Sequence, residues 1–309
     1  MPRVFKAAIA LLVLLALPTL RSAQAQEFKF EVRLKTAWVK AHANLTSIDA
    51  TMTVRHSHKS PNSISSGGND GDMHFSGEAK EVGLPFVAEV VNAKGQQAAR
   101  TVILDHEASG EPLTVTGAWR LWFEHPSDTQ TQGGNNPFDP DNTNPDHSFE
   151  IHPASRIGGA DITGSITNVA GYEAYPADVA FPYFESDTVE IKASSSGISI
   201  RSKKLKYNYV EFELELTKKP TAVADGVIAL ATVFTDGDEQ VVAAPRRMIF
   251  VAGTAAANAI KTLGAGDRMR VLAIPRIDLN AVLALVKENG TAQFRAALPY
   301  EMIVVGERK

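Results

Sequence analysis

The sequence predicts a mainly β protein built from two OB-like Greek-key β-barrels, each with a helix between its third and fourth strands. Short runs rich in β-branched and aromatic residues alternate with Gly, Pro, Asn and Asp, which is typical of strands and turns. These runs occur twice in the order three strands, helix, two strands, as in an OB-fold. The chain has no cysteine, so a large apolar core must supply its stability without disulfides.

The first residues have the features of a secretory signal peptide. Arg3 and Lys6 precede an apolar run over 7–20, and the tripeptide Ala-Gln-Ala at 23–25 is typical of a cleavage site. The apolar run is about 14 residues long, shorter than the roughly 20 residues that span a bilayer. We therefore expect residues 1–25 to be removed and the protein to be secreted or periplasmic, without a transmembrane segment.

The first OB-like barrel is predicted over residues 27–160. A helix over 96–107 is followed by the breakers Gly110 and Pro112. The predicted strand runs are 28–39, 52–58, 86–91, 113–123 and 149–157, and a short additional strand is predicted at 72–77. Two long polar loops, 59–71 and 126–146, precede the strands at 72–77 and 149–157. In OB-folds the corresponding loops frame the ligand surface, so we expect a binding site there.

The second OB-like barrel is predicted over residues 183–309, after a connection at 161–182 that is rich in Gly, Ala, Tyr and Pro. Apolar residues at helical spacing indicate an extra helix over 279–287. The other predicted elements are strands at 209–216, 227–234 and 240–251, a helix at 255–263, and strands at 268–274 and 291–305.

Charge and motifs limit the classes of function. The formal net charge of −4 gives no general attraction for nucleic acid, so a phosphate-bearing ligand would need a local basic patch or a metal ion. The sequence contains no Gly-x-Ser-x-Gly elbow, Walker loop or Rossmann fingerprint. Serine hydrolase, nucleotidase and dehydrogenase functions are therefore not favoured.

All eight histidines lie in the first predicted barrel. Residues two apart on a strand face the same way, so Asp72 shares a face with His74, and Glu150 with His152. With His125, at the end of the fourth strand, they form a set of imidazoles and carboxylates that suits zinc or manganese. The residues expected on the opposite, core-facing side are Met73, Phe75, Phe149 and Ile151.

These residues allow more than one chemistry. A bound ion could be structural, or it could activate water and polarise a phosphoryl or carbonyl oxygen. Without a metal, Glu150 could act as a general base and His152 as an acid. The pairs could also form a structural polar network, because alternation along a strand does not show that the pairs converge.

The fourth strand offers a possible ligand surface. Its alternation places Trp119 and Phe123 in the core, and Arg120 and Trp122 on the other face, where they could stack a sugar or base. Packing in the core or between domains is the alternative for Trp122. A small molecule, an oligosaccharide or a nucleic acid would fit such a surface.

Four segments together resemble a group of secreted bacterial proteins of unknown function that carry Gly-Asp-x-His, Val-x-Gly and Glu-x-His-Pro motifs. The segments are GDMH at 71–74, FVAEV at 86–90, LTVTGAW at 113–119 and EIHP at 150–153. The resemblance covers about residues 70 to 157 and implies that Asp72, His74, Glu150 and His152 act together. It implies no particular activity.

Three functions remain open at this level. The leading hypothesis is an exported tandem OB-like protein with a divalent-metal or ligand-binding site on the first barrel. The second is a metal-dependent phosphodiester hydrolase, similar to a nuclease. The third is a structural or partner-binding envelope protein.

Overall fold

The computed structural model of the protein describes residues 28–65, 69–139, 141–168, 171–237 and 240–308. The predicted signal peptide lies outside the described residues. Within these ranges, no helix is long and apolar enough to cross a membrane.

Five strands in the N-terminal half close into a barrel. The elements are β1 (Phe30–Lys35), α1 (Thr36–His42), β2 (Ser47–Ser57), β3 (Ile64–Ser65), β4 (Asn69–Asp70), β5 (Met73–Glu78), β6 (Pro85–Val90), α2 (Gln97–Ser109), β7 (Leu113–His125), β8 (Thr129–Thr131), β9 (His147–Ile157) and β10 (Ala160–Asp161). The barrel runs β2-β5-β6-β9-β7 and returns to β2. Strands β6 and β9 pair in parallel, and α2 lies between the third and fourth barrel strands.

A second five-stranded barrel follows with the same strand order. The elements are β11 (Tyr175–Pro176), α3 (Ala177–Ser186), β12 (Thr188–Ala193), β13 (Gly197–Ser202), β14 (Val210–Leu216), β15 (Thr221–Val223), β16 (Gly226–Phe234), β17 (Val241–Val251), α4 (Ala255–Ile260), β18 (Arg268–Ile277), α5 (Leu279–Asn289), β19 (Phe294–Ala297) and β20 (Tyr300–Glu307). This barrel runs β14-β16-β17-β20-β18 and returns to β14. The predicted fold class, a mainly β protein with two barrels, is confirmed.

Three predicted segments differ in kind from the structure. The predicted strand at 28–39 ends at Lys35 and α1 begins at Thr36; Trp38 on that helix packs edge-on against Trp119 and Phe149 at ring distances of 6.3 and 5.8 Å. The predicted connection at 161–182 contains the start of α3, whose buried residues recur at helical spacing. The predicted strand at 291–305 is two strands, β19 and β20, which pair in different sheets. Packing and strand pairing between distant residues decided these segments.

A third sheet joins strands from both halves of the chain, in the order β19-β12-β13-β1-β8. Strand β1 pairs with β13 antiparallel and with β8 in parallel. Segments that precede and follow the predicted connection are therefore hydrogen-bonded to each other.

The second barrel has two apolar faces. On β20, Met302 and Val304 belong to the main core, whereas Ile303 and Val305 belong to a separate apolar cluster that includes Ala118 of the first barrel. Successive residues of a strand point to opposite sides, so this separate cluster lies on the outer face of the second barrel. The outer face packs against the first barrel, which brings the second half of the chain close to the candidate site.

Candidate functional site

Polar residues on the outer face of the first barrel form the candidate site. On β5, Met73 and Phe75 are buried in the core, so His74 between them faces outward. Glu89 on β6 lies directly opposite His74 in the strand register. The same alternation places Glu150 of β9 on this face. OB-folds bind ligands on the corresponding surface, across the second and third strands.

A cavity of about 410 Å³ lies over this face. Five carboxylates line it: Asp70, Asp72, Glu89, Glu124 and Glu150. The lining imidazoles are those of His58, His74 and His125. Tyr172, Asn208 and Tyr209 close the cavity from the segment before the second barrel. The walls therefore come from both halves of the chain.

The first cluster of residues of the types that bind metal ions contains His58, Asp72 and His74, and we call it the His58 triad. One ligand atom from each residue lies within 4.8 Å of the others. The Asp72 carboxylate contacts His74 Nε2, and Asn62 donates to Asp72 Oδ1 at 3.0 Å. Burial opposes ionisation of Asp72, but the hydrogen bond and charge of His74 keep its pKa below the ordinary value. The triad therefore combines an anionic carboxylate with two imidazoles, which stack on each other with ring centroids 5.0 Å apart.

A second cluster, the His152 triad, contains Asp70, Glu89 and His152, all of them buried. His152 Nδ1 lies 2.9 Å from Glu89 Oε2, and His152 Nε2 lies 2.9 Å from the Tyr209 hydroxyl. That hydroxyl donates to Asp70 Oδ2 at 2.5 Å. Tyr209 thus connects two members of the triad from outside the first barrel.

Burial and neighbouring charges shift the pKa values of the His152 triad. Burial, together with the charges of Asp72 and Glu89, raises the pKa of Asp70 to about 7. Burial opposes the charge on His152, but Glu89 raises the pKa of that imidazole to about 10. In spite of its burial, Glu89 has a lowered pKa because of the histidines beside it. Positive charge on histidine therefore balances buried carboxylates at this site.

Glu150, the predicted general base, is held in an ion pair. Arg120 Nη1 donates to its Oε2 at 2.6 Å, and His147 Nε2 lies 2.9 Å from its Oε1. Burial opposes ionisation, but Arg120 holds the pKa of Glu150 well below its ordinary value. A carboxylate with so low a pKa is a weak general base near neutral pH. Its Oε2 also lies 3.5 Å from His152 Nδ1, so the ion pair sits directly beside the His152 triad.

Three other predicted site residues lie outside both triads. His125 lines the cavity and stacks on His147 with ring centroids 5.7 Å apart. Arg120 and Trp122 are 0% and 2% exposed, and Trp122 packs edge-on against Phe184 of α3. Neither residue offers an exposed surface for a sugar or base, which corrects the expectation of a stacking surface. Arg120 donates to the carbonyl of Pro275 on β18, so the docked second barrel and Phe184 of α3 occupy this face of β7.

Sequence reasoning missed Asp70, Glu89 and Tyr209. Glu89 could have been found, because it is the one charged residue in the otherwise apolar strand β6 and must face away from the core. Tyr209 lies 57 residues after His152 and carried no local signal.

Comparisons with known proteins identify no family. No family model matches the chain, and no curated protein matches it. A solved structure described as murine DNA binding protein bound with ds DNA is 10% identical, with 84% of this chain and 98% of that chain covered and a TM-score of 0.19. At this TM-score the likeness has no bearing on the ligand of the present protein.

Proposed function

We propose that this protein binds divalent metal at the cavity, and that the His58 and His152 triads supply the ligands. The clustering of ligand atoms carries the proposal: in each triad, ligand atoms of three His, Asp or Glu side chains lie within 4.8 Å of one another. Asp72 Oδ2 and His152 Nδ1 are buried, and the groups they contact are also of types that bind metal ions: His74 Nε2 for the first, the Glu89 and Glu150 carboxylates for the second. A cation bound in each triad would contact these atoms together.

Zinc and manganese fit the donor set best. The triads offer imidazole nitrogens and carboxylate oxygens, a mixture that suits these ions, and the chain has no thiolate to offer. In the His152 triad, Asp70, Glu89 and His152 would hold the ion. Tyr209 would orient two of these ligands through its hydrogen bonds, as outer-shell groups do in metal sites.

Elemental analysis tests the proposal. Protein purified without a His-tag or chelator is expected to contain stoichiometric metal, and the double variant His74→Ala/His152→Ala is expected to lose it, because one imidazole is removed from each triad. The matched control is His42→Ala/His106→Ala, which removes two imidazoles outside the cavity and should keep the metal. Wild-type protein that stays empty after exposure to zinc and manganese would overturn the proposal and favour a structural or partner-binding role.

The variant Tyr209→Phe is expected to weaken metal binding about 10- to 100-fold, because it removes the hydroxyl that orients Asp70 and His152 but keeps the ring. Competition with a chromophoric chelator measures the change. Tyr300→Phe is the control, since it removes a buried hydroxyl that contacts Glu185 away from the cavity. Equal metal affinity in the two variants would show that Tyr209 does not position the ligands.

A second candidate function is metal-dependent phosphodiester hydrolysis. The cavity volume of about 410 Å³ falls within the roughly 300–1,000 Å³ of ligand pockets, which leaves room for more than an ion. A metal ion there could polarise a phosphoryl oxygen and activate water. Turnover of bis(p-nitrophenyl) phosphate that requires added metal would support hydrolysis. Metal-loaded protein without turnover would limit the function to binding.

We propose that the protein is exported, because residues 1–25 have the features of a signal peptide. Amino-terminal sequencing of the protein recovered from a periplasmic extract is expected to begin near Gln26. A full-length chain confined to the cytoplasm would contradict export.

A further inference from the structure

The Glu89 carboxylate lies between the two triads. Its Oε1 is 3.4 Å from His74 Nε2 of the His58 triad, and its Oε2 is 2.9 Å from His152 Nδ1 of the His152 triad. One oxygen therefore faces each cluster. A carboxylate placed in this way can bind two cations at once, one through each oxygen.

We infer that the cavity holds two divalent metal ions, one in each triad, with Glu89 as the bridging ligand. The inference rests on the proposed metal-binding function and deepens it. Paired metal ions in proteins lie about 3.5–4 Å apart, a spacing that a shared carboxylate can span. Asp70 and His152 would complete one site. Asp72, His58 and His74 would complete the other.

The carboxylates of the two triads differ from other buried carboxylates in their partners. Glu150 and Glu301 are each paired with an arginine, which is not a metal ligand. Among the described residues, the ion-pair partners of Asp72 and Glu89 are histidines alone. Imidazole is itself a common metal ligand, so in each triad a carboxylate and its partner can contact the same cation.

The two sites should differ in affinity. All members of the His152 triad are buried, whereas His58 and His74 are partly exposed. His58 Nδ1 also accepts a hydrogen bond from the His74 backbone N–H at 3.2 Å, and an ion bound at that nitrogen must displace it. We therefore expect the His152 triad to fill first and the His58 triad to fill at higher metal concentration.

Titration of the metal-free full chain with manganese tests the inference. Equilibrium dialysis is expected to give two ions per chain at saturation, in two steps. Electron paramagnetic resonance should show isolated manganese after the first ion and a magnetically interacting pair after the second. His58→Ala should keep one ion and show no pair. Glu89→Gln should weaken both steps, whereas Glu78→Gln, which changes a surface carboxylate of β5 that does not line the cavity, should leave the titration unchanged.

The outcomes separate this inference from the proposed function. Saturation at one ion per chain, or two ions without magnetic interaction, would overturn the bridged pair and leave metal binding in place. A Glu89→Gln variant that still binds an interacting pair would also overturn it. No bound metal would overturn both.

Discussion

Replacing Arg120 by methionine is expected to lower the free energy of unfolding of the metal-free protein by about 3–5 kcal/mol at pH 7, because it leaves a buried carboxylate without its cation. Arg120 and Glu150 are both almost completely buried, and the guanidinium donates to Glu150 at 2.6 Å. The same side chain donates to Glu124 at 2.9 Å and to the carbonyl of Pro275 at 3.0 Å. All three acceptors lose a donor in the variant.

The loss of stability in Arg120→Met should depend on pH. In the wild type, the effect of Arg120 outweighs that of burial and lowers the pKa of Glu150. The ion pair therefore stabilises the protein at pH values above the unfolded-state pKa of the carboxyl. This stabilisation is lost as the pH falls through the folded-state pKa. In Arg120→Met the charge that opposes burial most strongly is removed, so the pKa of Glu150 rises relative to the wild type, although His147 still contacts the carboxylate. The gap in stability between variant and wild type is therefore expected to narrow from pH 7 to about pH 4.

Urea denaturation at both pH values measures this effect. The control is Arg55→Met, which breaks an exposed ion pair with Glu78 and should cost less than about 1 kcal/mol. Adding Glu150→Gln to Arg120→Met should recover part of the loss, because it removes the unpaired charge. A loss in Arg120→Met no larger than in Arg55→Met would show that the pair is not needed for stability.

Arg276→Met is expected to cost a similar amount, about 3–5 kcal/mol, because Arg276 joins the two barrels and its loss leaves several buried acceptors without a donor, at roughly 1–3 kcal/mol each. Glu301 itself keeps one arginine partner, since Arg247 Nε donates to its Oε2 at 2.8 Å. Arg276 Nε donates to Glu301 at 2.7 Å, and Arg276 Nη1 donates to the carbonyl of Trp119 at 2.9 Å. The guanidinium also lies 3.5 Å from the Trp119 ring centroid, a cation–π contact in a desolvated position. Methionine keeps the bulk of the stem but none of these contacts.

Urea denaturation at pH 7 measures this change too. Arg268→Met serves as the control, since its guanidinium pairs with Glu213 and Glu215 on the surface and a small loss is expected. Arg276→Lys should recover only part of the stability, because one ammonium cannot reproduce the planar set of donors. A loss in Arg276→Met equal to that of the control would mean that the barrels dock without this arginine.

The two arginines occupy matching places. Arg120 pairs in register with Glu150 on the fourth and fifth strands of the first barrel, and Arg276 with Glu301 on those of the second. Each also donates across the interface, Arg120 to Pro275 and Arg276 to Trp119. The barrels therefore dock through their fourth strands by reciprocal hydrogen bonds, although no repeated residue motif is visible in the sequence.

The alternation of residues along strands was readable from the sequence. It placed Met73, Phe75, Phe149 and Ile151 in the core, where the structure has them. It also placed His74 on the opposite, outer face. The order of strands and helices indicated two barrels, because strand and helix periods are local properties.

What surrounds each outward-facing residue was decided by the tertiary structure alone. Alternation gives the side of a strand, but not which strand lies beside it or what covers that side. Glu89 meets His74 through strand pairing, and Tyr209 reaches His152 from 57 residues away. Glu150 is held by Arg120 on a neighbouring strand. The sequence by itself determined the barrels and the polar face, whereas only long-range packing decided which residues form the triads, since contacts between distant residues leave no local pattern.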